Sequence, residues 1–188
     1  MSGEDRWRTA WQNGRLHQLI LLRHAKAGPE VAGGSDHDRP LTDAGKRAAA
    51  RIGKEMRRAG LAPDVVLVSS ATRTQQTLDE LEAAGLWDER PNIDTMPVLY
   101  MAGTSQIRDL LRDLPETVRS ALVIGHNPGL QLLAQELSGS APAKPELARL
   151  AEGYPTASLA EFLVTTTWRK LAQGGAALQR FLQPADLA

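Results

Sequence analysis

The stretch LILLRHAKAG, residues 19–28, joins an apolar run to a polar loop that opens with arginine and histidine. Consecutive large aliphatic residues that stop at such a break are typical of a buried β-strand. In the next segment, residues 40–60, the apolar residues recur at steps of three and four, as in an amphipathic helix: Ala44, Ala48, Ile52, Met56 and Ala59. A strand followed by a helix is the repeating unit of parallel α/β sheets.

The same alternation continues along the chain. Short β-branched or apolar runs predict strands at 64–70, 92–99, 120–126 and 157–164 and near the C-terminus, and helical stripes occupy 72–85, 105–114 and 128–137. The segment 138–146 is predicted to be a loop. Pro97 predicts that the strand 92–99 lies at an edge, because proline cannot complete a hydrogen-bond ladder. The pattern indicates a mostly parallel sheet with helices on both faces.

The sequence predicts a single domain. Its 188 residues suit a single α/β domain, and neither a linker nor an internal repeat divides them. Residues 1–15 are predicted to be an N-terminal arm, with Trp7 and Trp11 on one helical face, and residues 16–188 to be the domain.

Composition excludes several classes of function. Twenty-two basic residues balance 22 acidic ones, so no overall field favours nucleic acid or a lipid surface as a partner. The absence of cysteine excludes disulfides, thiol catalysis and cysteine-ligated zinc. No apolar run reaches the ~20 residues of a membrane span, and the N-terminus lacks the apolar core of a secretory signal. We therefore expect a cytoplasmic protein.

Chemically useful side chains follow three of the predicted strands. Arg23 and His24 end the first strand, Arg73 lies in the helical turn after the second, and His126 and Asn127 follow the run ALVIG. The carboxyl ends of parallel strands meet at one edge of a sheet, where ligands bind in open α/β folds. Taken singly, each histidine could be structural and each arginine solvated. Together, two arginines and two histidines predict an anion site.

A phosphate group fits this site best. Helix starts near Ser70 and Asn127 add free backbone N–H groups and positive dipole ends. A neutral histidine can attack phosphorus and form a phosphohistidine, while arginines hold the phosphoryl oxygens and lower the histidine pKa. Metal binding by His24 and His126 is disfavoured, because no carboxylate has ligand-like spacing and the adjoining arginines would oppose a cation.

Four segments resemble the histidine phosphatase superfamily. LLRHAKAG is similar to its Arg-His-Gly signature, SSATRTQQT to its Ser-x-x-x-Arg-x-x-Gln-Thr segment and VIGHNPG to its second-histidine segment, while RPLTDAGKRAA matches the stretch after the first motif. They occur in the family's order within residues 17–139. The short length and the segment YPTASLAEFLVTTTWRKL most resemble the small bacterial phosphohistidine phosphatases of SixA type.

The resemblance implies a three-layer α/β/α sandwich of the phosphoglycerate mutase-like kind and no metal cofactor. It implies His24 as the nucleophile. It also implies that Arg23, Arg73 and His126 form the phosphate pocket, with the backbone N–H of Asn127 as a further donor.

The chain departs from the family pattern in two places. Ala25 replaces the usual glycine, which should matter little if the backbone φ there is negative. Many members carry a carboxylate general acid in the loop after the third strand, whereas residues 97–106, PVLYMAGTSQ, contain none. The remaining acid candidates lie in the first loop, which could equally be a solvated surface: Glu30, Asp36 and Asp38, with His37 among them.

Two further residues, Arg39 and His17, are not assigned to the phosphate pocket. Arg39 could approach the pocket or pair with Asp43. His17 precedes the first strand, at the end of the sheet opposite the site, and is predicted to be structural.

Three functions are consistent with these residues. The leading one is a metal-independent phosphatase that works through a phosphohistidine intermediate and acts on phosphohistidine in a protein partner. The second is a phosphatase of small phosphate esters or anhydrides. The third is a non-catalytic module that binds a phosphorylated ligand, for which the missing acid is the best argument and the intact His24 the best objection.

Overall fold

The structure is a computed structural model that describes residues 16–30, 32–139 and 145–187. Six strands occur there: β1 His17–Arg23, β2 Val65–Ser69, β3 Asn92–Met96, β4 Ser120–Gly125, β5 Leu159–Val164 and β6 Ala176–Leu182. The α-helices of the described residues are α1 Asp43–Arg58, α2 Thr72–Ala83, α3 Thr104–Arg112, α4 Gly129–Ser138 and α5 Pro145–Glu152. None of these helices has the length and apolar character needed to cross a membrane. The arm predicted for residues 1–15 lies outside the described residues.

The six strands form one sheet in the order β3-β2-β4-β1-β5-β6. β3, β2, β4 and β1 pair in parallel, whereas β5 is antiparallel to both β1 and β6. The predictions of a mostly parallel sheet and of an edge position for β3 are confirmed. Pro97 falls just after β3, in a short 3-10 helix, where no ladder hydrogen bond is needed.

Helices cover both faces of the sheet, and β1 shows how alternation along a strand fills both cores. Leu19 and Leu21 belong to the cluster that packs against α3, α4 and α5. Ile20 and Leu22 belong to the cluster that packs against α1 and α2. Successive side chains of a strand point to opposite faces, so four consecutive apolar residues serve two cores. The expected three-layer α/β/α sandwich is confirmed.

The order of the strands creates a crevice between β1 and β4. From β1 the chain crosses to β2 on one side, and from β4 it crosses to β5 on the other side. Ligands bind at such a reversal, beyond the carboxyl ends of the two strands. Residues 24 and 126, which follow β1 and β4, therefore lie where a ligand site is expected.

Helix α5 was not expected from the sequence. It begins inside the segment predicted to be a loop, and Pro145 occupies its first position, where proline has no helical hydrogen bond to lose. The helix has eight residues, and only Leu150 is buried. So short a stripe is too weak to distinguish a helix from a loop by periodicity.

The start of α1 is hydrogen-bonded to the loop that follows β1. The Thr42 hydroxyl accepts a hydrogen bond from the backbone N–H of Gly45 at 3.0 Å, and the Thr42 backbone N–H donates to the Lys26 carbonyl at 2.9 Å. Thr42 is therefore the N-cap of α1. A Cβ atom on Gly45 would lie 2.2 Å from the Lys26 carbonyl oxygen, so the two backbones approach closely only because residue 45 has no side chain.

We expect Gly45→Ala to lower the free energy of unfolding by about 1–3 kcal/mol, as overpacking of a close contact does. Alanine normally stabilises a helix relative to glycine by up to ~1 kcal/mol. A loss of stability would therefore show that the close backbone contact outweighs helix propensity at this position. The measurement is urea unfolding, with Gly153→Ala as control because a Cβ there has no neighbour within 4 Å. Equal or higher stability of Gly45→Ala would contradict the close approach.

Candidate active site

The loops after β1, β2 and β4 enclose a pocket of about 280 Å³ at the carboxyl edge of the sheet. All five residues that the sequence assigned to a phosphate site line it: Arg23, His24, Arg73, His126 and Asn127. Asp36, Arg39, Met101 and Thr156 also contribute to its wall. Three separate strand ends therefore meet as expected.

His24 is held in one tautomer. Its Nδ1 lies 2.8 Å from the carbonyl oxygen of Ala25. A carbonyl can only accept, so Nδ1 carries the proton and donates it, and the lone pair of the neutral ring resides on Nε2. Nε2 has no hydrogen-bond partner among the described residues. Burial lowers the pKa of His24 to about 4, against the opposing effect of the Ala25 hydrogen bond and with help from the charges of Arg73 and Arg23.

The peptide that holds His24 is fixed from two sides. The Ala25 N–H donates to the Thr77 hydroxyl at 3.0 Å, and that hydroxyl donates to the Arg73 carbonyl at 2.6 Å. The Ala157 N–H donates to the carbonyls of Arg23 and His24 at 3.1 and 3.0 Å. Among described non-glycine residues, positive φ occurs only at Met101 and Ala157, so the backbone of Ala25 does not require glycine.

Arg73 is almost completely buried, with 4% of its side chain exposed. Its guanidinium donates to the Asp36 carboxylate at 3.0 Å and to the Asp36 backbone carbonyl. A cation in the first turn of a helix meets the positive end of the helix dipole. The Asp36 carboxylate offsets this unfavourable charge.

Arg23 lies close enough to Arg73 for the two cations to repel. Its Nη1 donates to the Tyr154 carbonyl at 2.7 Å, while its buried Nε has no hydrogen-bond partner among the residues that the structure describes. Burial, followed by the charge of Arg73, lowers the pKa of Arg23. The Tyr154 carbonyl also accepts from the Asn127 side-chain amide at 3.1 Å. An anion between Arg23 and Arg73 would relieve the repulsion and offer the free donor a partner.

His126 occupies the pocket as a neutral ring. Its Nδ1 accepts weakly from Arg73 at 3.4 Å, and its Nε2 lies 2.8 Å from the Ser69 hydroxyl, to which it donates in this tautomer. Burial, then the neighbouring charges of His24 and Arg73, lowers the pKa of His126 to about 3. The His24 and His126 ring centroids are 5.1 Å apart.

Of the three candidate acids in the first loop, only Asp36 lines the pocket. Glu30 is exposed, and Asp38 is exposed and accepts from Ser35. Asp36 accepts from Arg39 and from the Tyr100 hydroxyl, each at 2.8 Å, as well as from Arg73.

These contacts make Asp36 unsuitable as a general acid. Hydrogen bonds from Arg39 and Tyr100, together with the charge of Arg73, hold the pKa of Asp36 well below its usual range, so the group is ionised. The same hydrogen bond raises the pKa of the Tyr100 phenol, which makes Tyr100 a weaker proton donor. Residues 97–106 nevertheless contribute Tyr100, which donates to Asp36, and Met101, which lines the pocket.

The other charged residues of the first loop and of β1 occupy distinct places. Arg39 lines the pocket and pairs with Asp36 rather than with Asp43. His37 lies 2.9 Å from the Ser70 hydroxyl. His17, at the opposite end of the sheet, donates from Nδ1 to the Val118 carbonyl at 3.0 Å, as expected of a structural residue.

Four supporting residues were missed by sequence reasoning. Ser69 and Thr77 lie inside the segment SSATRTQQT, where attention to their hydroxyl groups could have found them. Tyr100 belongs to a loop that was searched only for carboxylates. Tyr154 acts through its backbone carbonyl, for which the sequence carries no signal.

Comparison with known proteins supports the resemblance to the histidine phosphatase superfamily. Residues 19–97 match the model of the histidine phosphatase superfamily (branch 1). The uncharacterized protein Rv1276c of Mycobacterium tuberculosis is 34% identical over 169 residues, which cover 87% of this chain and 99% of that protein.

Solved structures extend the match to the fold. A SixA structure from Nakamurella multipartitia is 33% identical and covers 90% of this chain and 96% of its own, with a TM-score of 0.79. The protein histidine phosphatase SixA complexed with tungstate is 25% identical, covers 91% of this chain and 99% of its own and has a TM-score of 0.73. The chain therefore belongs to the histidine phosphatase superfamily, in its SixA-type branch.

Proposed function

We propose that this protein is a metal-independent phosphatase that works through a phosphohistidine intermediate on His24. The observation that carries the proposal is the free Nε2 of a neutral His24 in a pocket walled by Arg23, Arg73 and His126. A lone pair beside guanidinium groups is what nucleophilic attack on a bound phosphoryl group requires.

The reaction would proceed in two displacements. Nε2 of His24 forms a bond to phosphorus while the bond from phosphorus to the leaving group breaks, and the ring gains positive charge. The Ala25 carbonyl, which accepts from Nδ1, stabilises that charge. Water then attacks the phosphorus, the bond to Nε2 breaks, and inorganic phosphate leaves. Arg23 and Arg73 bind the phosphoryl oxygens throughout, supplying charge that a metal ion supplies elsewhere.

The proposed substrate is phosphohistidine in a protein partner. An alkoxide leaving group is very basic and needs a positioned proton donor, but the carboxylate in this pocket, Asp36, is held in its ionised form. An imidazole leaving group is far less basic and can be protonated on its other nitrogen beforehand. The relative that was solved with tungstate, a tetrahedral oxyanion like phosphate, is described as a protein histidine phosphatase. Its similarity to this chain supports the same substrate class.

We expect His24→Ala to abolish turnover, because His126, the other neutral histidine of the described pocket, has both ring nitrogens engaged, by Ser69 and by Arg73. Labelling of the unaltered protein, quenched in alkali, should place phosphate on His24, in a linkage that is stable in base and labile in acid. Thermal unfolding of the variant is the control, since His24 contributes little to either core. Retained turnover, or an acid-stable phosphoryl linkage, would show that another group is the nucleophile.

The tautomer of His24 gives a separate prediction. Because burial and the arginines lower its pKa to about 4, the ring should stay neutral as the pH falls through ~6.5, where an unperturbed histidine gains its proton. Nitrogen chemical shifts measured by NMR should show the proton on Nδ1 from pH 7 down to about pH 5. The His24→Ala variant assigns the resonance. Protonation near pH 6.5, or a proton on Nε2, would be incompatible with the proposed nucleophile.

Substrate preference tests the proposed function directly. We expect kcat/KM to be highest for a phosphohistidine peptide, lower for an aryl phosphate and at least about 100-fold lower for an alkyl phosphate, the contribution general acid catalysis typically makes. All rates are measured with a chelator present, because the mechanism uses no metal ion. Equal rates for the alkyl phosphate and the phosphohistidine peptide would reveal a proton donor and favour the small-ester alternative.

A further inference from the structure

We infer that the Asp36 carboxylate is a specificity-determining group that accepts the ring N–H of a protonated phosphohistidine. This inference rests on the proposed function and assigns a role to a residue that is unsuitable as an acid. A phosphorylated imidazole carries phosphorus on one ring nitrogen, and its other nitrogen is a donor when protonated. The leaving group therefore needs an acceptor, and the pocket wall provides one.

Asp36 has room for a further donor. A carboxylate offers about four lone-pair positions on its two oxygens. The described contacts fill three of them, with Tyr100 and Arg73 on Oδ2 and Arg39 on Oδ1. The side chain remains 40% exposed while lining the same pocket as His24. A fourth donor can therefore approach the carboxylate from inside the pocket.

The charge of Asp36 discriminates between leaving groups. A carboxylate repels the negative charge that develops on a departing alkoxide or phenolate, and it repels the phosphoryl group itself. It attracts a protonated imidazole. Because Arg39, Arg73 and Tyr100 all donate to Asp36, the carboxylate keeps its charge beside the phosphate pocket. Apart from positioning and partly neutralising Arg73 and Arg39, this charge does not help a pocket to bind phosphate.

The proton balance defines what Asp36 would do. The N–H proton stays on the substrate ring while the bond from phosphorus to its other nitrogen breaks, and the electron pair of that bond returns to the nitrogen. The ring leaves as neutral imidazole. Without the proton it would have to leave as an imidazolate anion, which is far more basic. Asp36 thus acts by keeping the bound substrate in its reactive, protonated state.

The test compares Asp36→Asn with the unaltered protein on two probes, phosphoimidazole and an aryl phosphate, across pH 6–9. Asparagine keeps the shape of the side chain and an oxygen that can still accept from Arg73, but it removes the charge. Asp38→Asn is the matched control, since it makes the same change in the same turn on a residue that does not line the pocket.

We expect the alkaline limb of the kcat profile for phosphoimidazole to move down by about one pH unit in Asp36→Asn, the size of effect that a nearby opposite charge has. At pH 8–9 this is about a tenfold loss beyond whatever loss both probes share through the contact of Asp36 with Arg73, and the loss for the aryl phosphate should not depend on pH. Asp38→Asn should shift neither profile.

Two outcomes would overturn the inference. An equal loss for both probes, without a shift of the pH profile, would mean that Asp36 only positions Arg73. An unchanged profile for phosphoimidazole would mean that Asp36 does not contact the leaving group. Failure of the unaltered protein to hydrolyse phosphoimidazole or a phosphohistidine peptide would instead refute the proposed function, so the two failures are distinguishable.

Discussion

The hydrogen bond from Nδ1 of His24 to the Ala25 carbonyl is the constraint on which the rest of the site depends. An imidazole can attack phosphorus only through an unprotonated nitrogen, and the carbonyl decides which nitrogen that is. Burial and the arginines keep a second proton off the ring, which lowers the pKa of His24 to about 4. The arginines proposed to bind phosphate therefore also keep the proposed nucleophile neutral, and one arrangement of charge serves both purposes.

The fold supplies this hydrogen bond through contacts that are distant in the sequence. The Ala25 N–H reaches Thr77 on α2, and the carbonyl of His24 receives the N–H of Ala157 from the loop before β5. β1 lies in the interior of the sheet between β4 and β5, so the peptide after it is bounded on both sides. Such a peptide cannot rotate without breaking several backbone hydrogen bonds, which is what preorganises the ring.

The principal site could be predicted from the sequence because two local rules are sufficient for it. Hydrophobic periodicity locates the strand ends, and the parallel arrangement brings Arg23, Arg73 and His126 to one edge. The place of Asp36 could not be predicted, since Glu30 and Asp38 lie in the same polar loop with the same local signals. Only contacts with distant donors separate them. Helix α5 escaped prediction for a related reason, because one buried residue in eight gives no periodic pattern.

The charges of the pocket wall explain how three arginines can be clustered there. Three guanidinium groups and one carboxylate line it and leave two net positive charges when both histidines are neutral. Lys26 also lines the pocket, but it is exposed to solvent, so its charge is screened and is left out of this sum. The two net positive charges match a phosphoryl dianion. Asp36 partly neutralises Arg73 and Arg39, so the full repulsion among the arginines does not destabilise the folded state.

When a dianion binds, the wall and the phosphoryl group together become neutral, and a leaving group that departs uncharged preserves that balance. An alkoxide would add a negative charge beside the Asp36 carboxylate, which repels it. The charges of the pocket wall therefore favour an uncharged leaving group over an anionic one.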